Sequence, residues 1–231
     1  MRKVAGCLLA LIVVLSMGIA SSAPAGQVTI QFPSGFNFAL SGGNLYDASG
    51  PAYGATTAVN DGVDFFYNSV LVGTIPSGAL ADLLITGIPP IPTNGTVSVS
   101  GGPFHFDLLT PGYGPNSGVK LTFDQGSVSY VGLTQFFMSF TGTATVLQQE
   151  MDYPFGQFWF DGANINFAIW GEVTDPQFDG QGNLIGFSGV ESPSGNMYGT
   201  GGYIPEPASL VIWSVLGAGV CVVAWRARAR K

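Results

Sequence analysis

The sequence predicts an all-β protein, a β-sandwich or jelly roll of about ten strands, flanked by an N-terminal signal peptide and a C-terminal transmembrane helix. Three observations lead there. Apolar residues recur with period two between Gly26 and Ile204, no segment of that stretch sustains a 3.6-residue apolar period, and 30 of the 34 glycines fall within it. Glycine at well over its usual share of roughly 7% suits many tight turns and suits long helices badly.

At the N-terminus, Arg2 and Lys3 precede an apolar run from Val4 to Ala20 and the small residues Ser21-Ser22-Ala23-Pro24-Ala25. Charge, apolar core and small-residue site in that order make residues 1–25 a signal peptide, with cleavage before Gly26. Val4-Ala5-Gly6-Cys7 matches a lipoprotein box, but too little apolar sequence precedes it.

Residues 26–204 read as one exported domain. They hold 13 acidic residues and one cation, Lys120, a formal charge of −12. Such a surface repels phosphate backbones, which excludes nucleic acid as a partner. Both cysteines, Cys7 and Cys221, lie in the apolar ends, so the domain has neither a disulfide nor a thiolate metal site. Val28, Ile30 and Phe32 alternate with Gln27, Thr29 and Gln31; Val97 and Val99 flank Ser98; Val119, Leu121 and Phe123 oppose Lys120, Thr122 and Asp124. Each reads as a half-buried strand. Two hairpins follow from turn chemistry. A turn at Gln125-Gly126 would place Phe123 opposite Val128 and Leu121 opposite Tyr130. Asp161-Gly162 suits a type I′ turn, pairing Phe160 with Ala163 and Phe158 with Ile165. It commits Phe158, Phe160, Ile165, Phe167 and Ile169 to the core.

The second hairpin then sends Gln157, Trp159, Asn164, Asn166 and Trp170 to the opposite face. Trp beside amides is the chemistry of a sugar platform, with rings on C–H faces and amides on hydroxyls. A covering sheet or loop would also account for it. His105, the only histidine, shares a strand face with Asp107, but no G-x-S-x-G nucleophile motif accompanies the pair. One histidine without cysteine speaks against zinc. Calcium is the metal expected of an exported acidic chain, and Asp175, Asp179 and Asn183 are its candidate ligands. The loop departs from the EF-hand pattern, with Leu184 where Gly is required and no closing Glu; a Gly-rich turn explains it equally. Asp61 with Asp64 is a weaker cluster, and Asn94-Gly95-Thr96 reads as a turn. The many carboxylates could also include the acid/base pair of a glycosidase.

At the C-terminus, Ala208 to Trp225 carries no charge over 18 residues, about 27 Å as a helix and enough to cross a bilayer. Arg226, Arg228, Arg230 and Lys231 supply a cytoplasmic anchor of the kind the positive-inside rule describes. Pro205-Glu206-Pro207 just before the span, the span itself and the terminal basic cluster together closely resemble the PEP-CTERM sorting signal of exopolysaccharide-producing Gram-negative bacteria. The alternation of the arginines with Ala227 and Ala229 departs from the family's more usual adjacent arginines. The resemblance covers residues 205–231 only. It implies export through the secretion translocon, cleavage by signal peptidase, and recognition by an exosortase that releases the domain or attaches it at the cell surface. The expectation is therefore a non-enzymatic surface or matrix protein associated with exopolysaccharide; a secreted glycan-active enzyme on the same scaffold is the alternative.

Overall fold

The computed structural model describes residues 25–59, 61–110, 118–142, 151–153, 156–160, 164–205, 217 and 219; Gly142, 151–153, 156–159 and 204–205 are described by backbone alone. Residues 25–203 form one compact unit. Among the described residues no helix is long and apolar enough to cross a membrane. Glu206, Pro207, the basic cluster at 226–231 and the expected signal peptide apart from Ala25 lie outside the described residues, as does the expected span 208–225 apart from Gly217 and Gly219, which are helical.

The unit is all β. Its strands are β1 (Gly26–Phe32), β2 (Phe38–Ser41), β3 (Asn44–Asp47), β4 (Thr57–Ala58), β5 (Val63–Tyr67), β6 (Val70–Ile75), β7 (Leu80–Ile85) and β8 (Gly95–Leu109). There follow β9 (Gly118–Val131), β10 (Gln135–Gly142), β11 (Met151–Tyr153), β12 (Gly156–Phe160), β13 (Ile165–Thr174), β14 (Gln177–Phe178), β15 (Leu184–Gly186) and β16 (Gly189–Pro205). One antiparallel sheet runs β2-β3-β7-β8-β9-β10-β13-β16-β1-β5-β6, with β4 on β7 and the β11–β12 pair on β16; β14 and β15 pair separately.

This sheet curls, because rings from strands far apart in its order meet. Phe106 of β8 stacks on Phe167 of β13 at 4.1 Å and lies 5.8 Å from Phe32 of β1. Phe38 of β2 reaches Phe136 of β10 at 5.7 Å. The alternating residues expected to face inward do so: Val28, Ile30, Phe32, Val99, Val119, Leu121 and Phe123 are buried. Phenylalanine dominates the core because each ring buries 150–250 Å² and interlocks edge-to-face or offset with its neighbours.

Both hairpin expectations need correction. Gln125-Gly126 is no turn: it lies within β9, where Gly126 pairs with Val99 of β8 and with Phe140 of β10. The inward set changes from odd to even numbers between Phe123 and Val128, the parity break that suggested a hairpin. β8 makes the same change, from Val99 to Phe104, and its register against β9 shifts between Ser100 and Phe104. The two strands turn a corner together. Gly126 is glycine because the ring of Phe140 occupies its side-chain position; a Cβ there would lie 2.3 Å from the ring.

Phe158 does not face Ile165 either. β13 is paired along one edge by β10 and along the other by β16, which leaves no edge for β12; Phe158 pairs with Met151 instead. Residues 161–163 lie outside the described residues. Four of the five core assignments hold without the pairing, since Phe160, Ile165, Phe167 and Ile169 are buried, while the side chain of Phe158 lies outside the described residues. Alternation within one strand sets which face a side chain takes, whichever strand lies alongside.

Candidate functional site

Register, not sequence proximity, assembles the outer face. From β8 to β16, one row runs Thr96, Ser129, Phe137, Trp170 and Ser194; the next runs Ser98, Ser127, Ser139, Ala168 and Asn196. The third runs Ser100, Gln125, Thr141, Asn166 and Tyr198, and continues onto Thr29 of β1. Not one of these side chains is charged, although the domain carries 13 acidic residues. Three aromatics stand out of this hydroxyl- and amide-rich surface: Phe137, Trp170 and Tyr198, at 43%, 36% and 38% exposure. Phe137 and Trp170 are direct partners across β10 and β13, and their rings stack at 6.5 Å and 29°. They form a flat apolar shelf.

About 13 Å along β13 from Trp170, a shallow cavity of about 280 Å³ opens beside Tyr198, lined by Gly26, Gln27, Asn164, Asn166, Gly199 and Thr200. Asn166 is oriented by its neighbours. Its Oδ1 accepts the Thr141 hydroxyl at 2.9 Å and its Nδ2 donates to the Asn164 carbonyl at 3.4 Å. Asn164 holds φ of 54°, a left-handed conformation asparagine tolerates well. Of the expected platform, then, Asn164 and Asn166 share one cavity and Trp170 belongs to the shelf further along the strand. The side chains of Gln157 and Trp159 lie outside the described residues; their backbone belongs to β12. Sequence reading missed Tyr198, Phe137, Gln27 and Thr200. The signal for Tyr198 was available: Met197 is buried at its side, so parity turns Tyr198 outward.

The calcium candidates hold hydrogen bonds within the chain. Asp179 Oδ1 accepts the N–H groups of Gln181 at 2.9 Å and Asn183 at 2.8 Å, and its Oδ2 accepts Asn183 Nδ2 at 2.8 Å. These donors, Asn183 foremost, hold its carboxyl below the ordinary range. Asp175 Oδ2 accepts the Ser188 hydroxyl at 2.9 Å. Pro205 ends β16, and the rest of the sorting motif and the basic cluster lie outside the described residues. Among the described residues, no three His, Cys, Asp or Glu side chains are placed to hold a metal ion.

A second polar cluster sits elsewhere, and Asp107 is its only member that the sequence singled out as a site candidate together with His105. Asp82 of β7 lies directly opposite Asp107 of β8, which lies opposite Lys120 of β9. Lys120 Nζ is 3.3 Å from Asp107 Oδ2. The sequence placed His105 on an exposed strand face; instead Tyr53 covers it, ring centroids 4.4 Å apart. Asp82 and Asp107 are 2% and 3% exposed, beneath the segment that carries Tyr53. They do not face each other across an open groove. Comparison with known proteins returns no matching family model, no matching curated protein and no matching solved structure.

Proposed function

We propose that this chain is an exported surface or matrix protein that associates with neutral polysaccharide through the outer face of β8, β9, β10, β13, β16 and β1. The observation that carries the reading is the composition of that face. Within an acidic domain, three adjacent rows of that face carry no charge and present exposed rings, amides and hydroxyls, with Glu172 and Glu191 in the row beyond Trp170. Rings stack on the apolar faces of pyranoses while amides and hydroxyls exchange hydrogen bonds with their hydroxyl groups. The curled sheet serves as the scaffold that holds these rows in register. The tail resembling a PEP-CTERM signal accounts for delivery: translocon export, signal-peptide removal, and exosortase handling at the envelope of an exopolysaccharide-producing cell.

Polysaccharide pull-down with the full chain tests this reading. Retention on neutral exopolysaccharide that falls with Trp170→Ala and Tyr198→Ala supports it, and equal retention of the double variant removes it. Because the three contact rows carry no charge, retention is expected to survive high salt, which screens interactions between exposed charges.

A further inference from the structure

The segment Ala48–Thr56 joins β3 to β4, and both strands pair with β7. The chain therefore leaves the sheet and returns to the same strand, crossing the outer face of β7 and β8 on the way. Its hydrogen bonds to side chains all end on carboxylates. Asp47 accepts the Ser49 N–H at 2.9 Å and the Ser49 hydroxyl; Asp107 accepts the Tyr53 hydroxyl at 2.9 Å; Asp82 accepts the Gly54 N–H at 2.7 Å.

Those three carboxylates are buried, with a single, half-buried cation beside them. Like charges directly opposite one another in a β ladder are unfavourable, and Asp82 and Asp107 are so placed. Asp47, from β3, anchors the Leu83 N–H at 3.0 Å, next to Asp82 in the chain. Lys120, from β9, is engaged with Asp107. From the segment, Asp82 meets only the Gly54 N–H; its other oxygen, Oδ1, is buried without a hydrogen-bond partner. A fully ionised cluster would leave that oxygen charged, dry and uncompensated.

We propose that Ala48–Thr56 is a pH-governed flap, closed while Asp82 is protonated and released from the outer face of β7 and β8 when Asp82 ionises. Burial pushes the Asp82 carboxyl up to about 6, with Asp107 and Asp47 adding to the effect and the Gly54 N–H and Lys120 opposing it. Burial and the hydrogen bond to Asp107 likewise push the Tyr53 hydroxyl up, so it stays a neutral donor to Asp107 throughout this range. Opening would expose Asp107, His105 and Lys120 as one polar patch, in a domain whose export places it at the pH of its surroundings.

Hydrogen exchange of the full chain in detergent, corrected for intrinsic exchange chemistry, tests the flap. Between about pH 5 and pH 7.5, peptides covering 49–56 are expected to lose protection by about tenfold, while those from β13 keep theirs. Asp82→Asn should stay protected at both pH values. Flat protection in the natural chain, or an Asp82→Asn flap that opens like it, overturns the proposal. Should that variant fail to fold, carboxyl NMR titration of the natural chain decides: an Asp82 midpoint that coincides with the loss of protection supports the flap, and titration in the ordinary aspartate range overturns it.

Discussion

β8 and β9 each contribute to two outer surfaces of opposite character. Before the corner in β8, Thr96, Ser98 and Ser100 meet Ser129, Ser127 and Gln125, an open and uncharged surface. Beyond it, His105 and Asp107 meet Thr122 and Lys120, and the charged pair lies under Tyr53. The same two strands thus present neutral side chains before the corner and set Asp107 and Lys120 beside a covering loop beyond it, with Asp124 exposed between the two. Uncharged rows of hydroxyls, amides and rings are suited to an uncharged, hydroxyl-rich partner. A buried carboxylate row is suited to responding to protons.

The largest effect is expected where the scaffold common to both surfaces is struck. Gly195 pairs with Phe32, and a Cβ there would lie 1.9 Å from the Phe32 ring. Gly195→Val should therefore cost about 3 kcal/mol or abolish folding, as measured by thermal melting, because overpacking displaces a ring at the centre of the core. Gly126→Ala strikes the corner alone. Its Cβ would press on Phe140 at 2.3 Å, and a loss of roughly 1–3 kcal/mol is expected, with Phe140→Leu partly restoring the melting temperature.

Asp82→Asn sharpens the contrast by neutralising one member of the covered row. A carboxyl with a folded-state value near 6, above its ordinary 3.8, favours folding most fully below 3.8, and that contribution is lost as pH rises through 6. The variant should accordingly melt roughly 2–4 °C higher than the natural chain at neutral pH, with the gap closing as pH is lowered toward 4. The smallest effect belongs to the open surface. Trp170→Ala should weaken polysaccharide retention about fivefold, for a stacking contribution of about 1 kcal/mol, and leave the melting temperature within a degree or so.

Much of this was legible in single strands. Alternation in Val28–Phe32 and Val119–Phe123 identified which residues are buried, because side-chain parity is a local property of extended backbone. Pairing was not legible, because it is a property of two segments. Gln125-Gly126 has turn composition, yet its glycine answers to Phe140 of β10. The parity break at the same place has two physical origins, a hairpin or a bent strand, and the sequence of one strand does not distinguish them. Parity in β13 placed Asn164 and Asn166 away from the core, whereas Gln27 joins them at the cavity through β16 and β1, across a separation no local pattern reports. Asp82 did leave a trace as a lone acid in the apolar run Leu80-Ala81-Asp82-Leu83-Leu84. Nothing in Tyr53 itself announces that it closes over that acid.

β16 passes between β13 and β1, in register with the first over Gly189–Tyr198 and with the second over Gly195–Gly201, and ends at Pro205, the first residue of the proposed sorting motif. A pull on the C-terminal end is therefore delivered along the axis of a strand clamped on both flanks, loading its crossbars in shear, all at once, rather than peeling them open in succession.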